Sequence, residues 1–216
     1  AAKYEYVLDY TKPIDLNNLT NDLNSEVPEM TRLVAENAIT LLSGKEKDFL
    51  SINKKEKIAY VGFGSDSASA IAMRLKNNYN GDTYFFTIAK NNPASVKQVL
   101  ESLNKYDKVI VGIHNINRPP LNNFGISQQT VEIINQIESK NKSIILLFGN
   151  AYAAKNWCDA SNLIVCYEDG SIIQNTALDM LESRIPFKGT LPVSVCKKFG
   201  SGYGINTEHL KKKKHH

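Results

Sequence analysis

The sequence predicts an α/β domain: a three-layer α/β/α sandwich around a mostly parallel sheet of five or six strands. Two observations lead there. From Lys57 onward, runs of four to six apolar residues rich in Val, Ile and aromatics alternate with amphipathic helical stretches. Runs that are apolar on both faces belong to strands covered on both sides, and their alternation with helices implies right-handed βαβ crossovers. In addition, 216 residues with 42% hydrophobic and 22% charged content suit one ordinary globular domain.

The elements follow in order. Residues 1–24 read as an irregular linker arm, with Asn17, Asn18, Asn21 and Asn24 close together. A helix is expected next, with Ser25 as N-cap, Pro28 in the first turn and Gly44 as the stop. Met30, Leu33, Val34, Ala38 and Leu41 recur at spacings of three and four and give it one apolar face. Strands are expected at 58–62, 83–88, 109–113, 143–148 and 163–167, with a last short one at 191–195. Helices are expected at 68–75, 93–104, 127–139, 151–157 and 171–183. The sandwich thus spans 25–198, doubly wound and of flavodoxin-like build, and 199–216 form an exit segment and a basic tail. No internal repeat interrupts the pattern.

Charge and cysteine content narrow the function classes. The formal net charge of +4 resides in Lys211, Lys212, Lys213 and Lys214; without them, 22 basic residues face 22 acidic ones. A neutral body with a solvated lysine tail does not predict nucleic-acid binding. His215 and His216 read as the start of an affinity tag. No apolar run approaches the ~20 residues of a membrane span, and 1–10 lack the pattern of a signal peptide, as a trimmed chain would too. Cys158, Cys166 and Cys196 make an odd set without a metal-binding spacing, so neither a disulfide framework nor a zinc site is expected.

Candidate site residues fall at the expected C-terminal strand ends, where open α/β sheets gather ligands and partners. Gly62-Phe63-Gly64-Ser65-Asp66-Ser67 follows a strand and opens a helix, as a nucleotide loop does. However, Ser67 replaces the third glycine, and the next strand ends Ile88-Ala89-Lys90 without the acidic residue that a ribose needs. A tight turn capped by Ser65 or Asp66 accounts for the segment equally. His114, the sole histidine of the body, precedes Asn115, Asn117 and Arg118, whose amides and guanidinium suit sugar hydroxyls or a carboxylate. A catalytic base needs a nucleophile and an orienting partner, and no such set is apparent. Asn150 completes the edge. Trp157 with Tyr152 suits sugar stacking or packing. Glu168 and Asp169 are adjacent, so they do not bracket a glycosidic bond as two separated carboxylates do, and a helix-capping role is expected. No catalytic residue, metal or cofactor is expected.

Two segments carry a resemblance. Arg32-Leu33-Val34-Ala35-Glu36-Asn37-Ala38-Ile39-Thr40-Leu41-Leu42 resembles the opening of the C-terminal α/β domain of glycoside hydrolase family 3. Gly189-Thr190-Leu191-Pro192-Val193-Ser194-Val195 resembles its closing signature. Between them, Lys57-Ile58-Ala59-Tyr60-Val61-Gly62 fits the first strand of that domain and Leu163-Ile164-Val165-Cys166-Tyr167-Glu168 its last. The resemblance implies an accessory domain of an exo-acting, retaining glycosidase, with the nucleophile on an N-terminal (β/α)8 barrel of the same polypeptide. In the β-glucosidase-like branch a glutamate from the loop after the third strand acts as general acid. Residues 114–125 here contain no carboxylate, which points instead to the β-N-acetylglucosaminidase-like branch. The resemblance further implies a carbohydrate substrate, an exported or periplasmic setting, and in some bacterial relatives a following β-lactamase-like domain, which the glycine-rich 199–205 would suit. A free-standing flavodoxin-like module for a nucleotide or small ligand, a β-glucosidase-type family 3 fragment, and a structural scaffold without a ligand role are the other readings.

Overall fold

The computed structural model describes residues 18–44 and 50–208. Two short elements open it, helix α1 (Leu19–Asn24) and helix α2 (Val27–Ala38). Strand β1 (Thr40–Gly44) follows. The βαβ body then runs β2 (Ile58–Phe63), α3 (Ala70–Tyr79), β3 (Asp82–Phe86), α4 (Pro93–Ser102), β4 (Lys108–Ile113), α5 (Gln128–Lys140), β5 (Ser143–Leu147), β6 (Asn162–Val165) and α6 (Ser171–Leu181). A short 3-10 turn, Ala151–Trp157, links β5 to β6.

The six strands lie in the order β1-β6-β5-β4-β2-β3, all parallel except β1, which runs antiparallel to β6. The β2–β3 and β2–β4 neighbours place the topological switch point between β2 and β4. Alternation along each strand splits the apolar residues between two cores. Ala59, Val61, Val109, Val111, Ile145 and Leu147 face α4, α5 and the 3-10 turn. Ile58, Tyr60, Ile110, Ile144, Leu146 and Ile164 face α3 and α6. Each large aliphatic buried this way stabilises the fold by roughly 1.5–3 kcal/mol before entropy is counted. Here the predicted sandwich is observed.

Several local expectations are corrected. The first helix does not reach Gly44: it ends at Ala38, Ile39 turns to an extended backbone, and Thr40–Gly44 pairs with β6. Leu41 matched the helical spacing, but the β-branched pair Ile39-Thr40 and the open edge of β6 favour a strand. The N-cap position of α2 is Glu26, without a side-chain cap, and residues 19–24 are helical rather than irregular. Residues 191–195 form no strand. Pro192 cannot donate to a ladder, and the segment becomes a strap held by bonds such as Leu191 N to Tyr203 O (2.8 Å) and Val195 N to Phe199 O (2.9 Å). Cys158 and Cys196, 38 residues apart, form a disulfide that staples this strap to the 3-10 turn, leaving Cys166 as a buried thiol. The odd count concealed one pair and one core residue.

Candidate functional site

The site is built on the face of the sheet that carries Tyr60. Register sets Gly62 beside Gly112, and these paired glycines clear a trough in which the Tyr60 ring lies. A Cβ on Gly112 would fall 2.2 Å from the Tyr60 hydroxyl and 2.5 Å from His114 Nε2. A Cβ on Gly62 would fall 2.3 Å from Ser65 Oγ and 3.1 Å from the Tyr60 ring. The glycines of the Gly62-Phe63-Gly64 motif are therefore demanded by packing. Gly64 has φ +78°, in the left-handed region, and its α-carbon faces the His114 carbonyl so closely that a Cβ would come within 2.5 Å.

A polar chain runs along this trough. The Tyr60 hydroxyl lies 2.5 Å from His114 Nε2, and His114 Nδ1 lies 2.7 Å from Asp169 Oδ1. Asp169 also accepts from Gln174 Nε2 (3.0 Å) and, through Oδ2, from the Asn115 backbone N–H (2.9 Å). Gln174 Oε1 in turn accepts from Ile71 N (3.1 Å), filling a donor in the first turn of α3. His114 stacks on Phe148 with ring centroids 4.4 Å apart, and its side chain is 2% exposed against 29% for Asp169. Burial raises the Tyr60 phenol well above its ordinary value, with lesser influences from Ser65, Asp169, Ser69 and Cys166, so it keeps its proton. Burial also pushes the Cys166 thiol up, with Asp169 adding to the effect.

All seven predicted site residues lie at the C-terminal strand ends. Asp66 is exposed and accepts from Ala68 N (2.8 Å), bracing the turn, while Ser65 is half-buried beside Tyr60. His114 is buried. Asn115, with φ 51°, Asn117 and Arg118 are exposed on the loop after β4. Asn117 N donates to Phe124 O (2.7 Å), and the Arg118 carbonyl accepts from Asn150 Nδ2 (3.0 Å). Asn150 Oδ1 caps the 3-10 turn at Tyr152 N (3.0 Å). Asn115, Asn117, Arg118 and Asn150 thus lie on the loops after β4 and β5, and Ser65 and Asp66 on the loop after β2.

Sequence reasoning missed Tyr60, Gln174 and Phe148, and gave Asp169 a helix-capping role. Asp169 does not cap a helix; the N-cap of α6 is Gly170, without a side-chain bond. It is the orienting partner of His114, 55 residues away, a pairing that no local spacing announces. Trp157 is buried at 2% exposure and Tyr152 is exposed at 47%, so they make no shared stacking platform. Among the described residues, no group of three or more His, Cys, Asp and Glu side chains is placed to hold a metal.

The loop after β4 is held against its own preference. Asn122, Asn123 and Phe124 have φ of 52°, 54° and 62°, three consecutive non-glycine residues in the left-handed region. Such residues cost roughly 1–2 kcal/mol each. The fold offsets this by burying Phe124 and setting Lys155 Nζ 5.6 Å above its ring. Asn156 Nδ2 also donates to Asn123 Oδ1 (3.1 Å). Strain of this kind gathers where a loop's place matters to function.

No family model matches the sequence, and no curated protein matches it. Solved structures do match, by fold. One is a fungal multi-domain glycoside hydrolase family 3 β-N-acetylglucosaminidase, with TM-score 0.65 and 14% identity over 86% of this chain and 21% of that one. The family 3 β-N-acetylglucosaminidase from Paenibacillus sp. str. FPU-7 matches with TM-score 0.64 and 15% identity over 87% of this chain and 35% of its own. A β-glucosidase from Listeria innocua matches with TM-score 0.64 and 14% identity over 86% and 29%. The likeness is one of fold. This chain spans about a fifth to a third of the neighbours' lengths, and the neighbours differ in the sugar that they are named for. Among the described residues, no helix is long and apolar enough to cross a membrane.

Proposed function

We propose that this chain is the accessory C-terminal domain of a family 3 glycosidase of the β-N-acetylglucosaminidase-like kind. It packs on a catalytic (β/α)8 barrel of the same polypeptide and shapes one wall of the active site through Ser65, Asp66, Asn115, Asn117, Arg118 and Asn150. The observation that carries this reading is the asymmetry of coverage: nearly all of this chain matches a minor part of much longer neighbours. The loop after β4 supports the choice of branch, since it bears no carboxylate to serve as general acid. Helix α2 supports a domain partner. On α2, Val27, Met30 and Val34 follow a 3-4 spacing and are 50%, 56% and 60% exposed, an apolar stripe suited to being covered.

A nucleotide-binding module is less favoured, because the Gln174 side chain already fills a donor at the start of α3. Export fits the Cys158–Cys196 disulfide, a bond at home in oxidising compartments. Alkylation of the unfolded, unreduced protein tests it: one modified cysteine is expected, and three would count against export. The function itself is tested by hydrolysis of chromogenic β-N-acetylglucosaminide and β-glucoside. The isolated chain is expected to be silent and to support turnover of the β-N-acetylglucosaminide once co-expressed with its barrel. Turnover by the isolated chain that one substitution within it abolishes would overturn the proposal.

A further inference from the structure

The buried chain gives His114 a role other than ligand contact. With its side chain 2% exposed, the imidazole is closed off from solvent and from any ligand at the strand ends. Its tautomer follows from its partners. Asp169 accepts from Asn115 N and Gln174 Nε2 as well as lying 2.7 Å from Nδ1, so it acts as a carboxylate and Nδ1 carries the proton. Nε2 then accepts from the Tyr60 hydroxyl. One ring thereby joins the core strand β2 to the loop that opens α6. Asp169 passes the constraint to the backbone of Asn115, the second residue of the loop after β4, where φ is 51°.

We propose that His114 is a positioning residue: by holding Asp169, it fixes the Asn115 backbone and with it the placement of Asn117 and Arg118 on the wall. The inference rests on the wall reading for its function, but the positioning itself is a property of this chain. It predicts that the two halves of the imidazole have separable jobs. The Nδ1–H half sets the loop, and the Nε2 half satisfies Tyr60 in the core.

Two substitutions divide them. In His114→Asn, the amide N–H takes the place of Nδ1–H and can still donate to Asp169, while the acceptor for Tyr60 is lost. In His114→Gln, the longer side chain reaches Tyr60, and Asp169 loses the imidazole donor while keeping Gln174 Nε2 and Asn115 N. Amide hydrogen exchange on the 216-residue chain reads the outcome at Asn115, with Val111 in β4 as a core control. Asn115 is expected to exchange about tenfold faster in His114→Gln and within about threefold of wild type in His114→Asn, with Val111 protected in both. Equal Asn115 protection in the two variants, whether kept or lost, overturns the proposal. So does a nitrogen-15 spectrum of His114 that places the proton on Nε2 rather than Nδ1. The wall reading fails separately. If His114→Gln loosens Asn115 yet leaves kcat/KM of the barrel-containing enzyme unchanged, the positioning stands and the wall does not. If the loop loosens and kcat/KM falls, both stand.

Discussion

Two hydrogen-bonded chains of tyrosine and carboxylate sit at opposite ends of the strands, and they differ in what surrounds them. At the C-terminal end, Tyr60, His114 and Asp169 run inward from a half-exposed carboxylate to a phenol with no exposure. At the N-terminal end, the Tyr84 and Tyr106 hydroxyls lie 2.8 Å apart and Tyr106 donates to Asp82, with Lys105 Nζ 3.7 Å from the same carboxylate. Lys105 and Asp82 are 62% and 59% exposed there. Water can replace any partner lost from the second chain. Water does not reach Tyr60 and His114, the inner members of the first, so a deletion there leaves a buried polar group bare. The same bond types are thus optional at one end and obligatory at the other.

The largest break in this comparison is expected from His114→Ala. It strips partners from Tyr60 and Asp169 and removes the ring stacked on Phe148, and denaturant unfolding should show a loss of about 3–4 kcal/mol. Asp82→Ala, the corresponding deletion at the exposed end, should cost less than ~1 kcal/mol in the same experiment. Equal losses would show that burial does not separate the two chains.

Gly112→Ala comes next. Its methyl group would meet the Tyr60 hydroxyl and His114 Nε2, both held by other contacts, and overpacking of this sort costs roughly 1–3 kcal/mol. The double variant Gly112→Ala, Tyr60→Phe removes the closer clash, so it should recover part of that loss. No recovery would place the strain elsewhere.

Alkaline pH sharpens the contrast. Burial raises the folded-state pKa of Tyr60. Above its ordinary value of 10.0 the unfolded chain releases a proton that the folded chain retains, so stability is full below that pH and falls as pH rises. The slope is about 1.4 kcal/mol per pH unit for one such group. Tyr60→Phe should flatten the decline of melting temperature above pH 10. Burial and the hydrogen bond to Asp82 also raise Tyr106, in that order, but its solvent-facing partners screen the effect. Tyr106→Phe should flatten the slope less than Tyr60→Phe does. The smallest effect expected is that of Tyr106→Phe at neutral pH, less than ~1 kcal/mol by thermal unfolding.

Much of the fold was legible because it rests on local signals. The runs at 58–62, 109–113 and 143–148 are apolar at consecutive positions, and only a strand covered on both faces buries such a run completely. The helices at 93–104 and 127–139 announced themselves by periodicity, and in the structure Asn92 and Ser127 cap them, each accepting from the helix. The opening helix was misjudged where two periods overlap: Leu41 satisfies a helical spacing, and only the unfilled edge of β6 makes it a strand residue. Met30 and Val34 fit an apolar helix face well, but nothing within the described fold covers that face.

The site divides in the same way. Sequence position alone placed Ser65, Asp66, Asn115, Asn117, Arg118 and Asn150 at the C-terminal strand ends, because the ends of strands are fixed once the strands are known. It also marked His114 as unusual, though not whether the ring faces a ligand or the core. Tertiary structure decided that, by setting Gly62 beside Gly112 to admit Tyr60 and by carrying Asp169 across 55 residues to Nδ1. It likewise paired Cys158 with Cys196 out of three cysteines. Periodicity and capping act within a few residues of the chain and can be read along it. Hydrogen-bond partners and disulfides depend on which distant segments the sheet order brings together, and that order is an outcome of packing the whole chain at once.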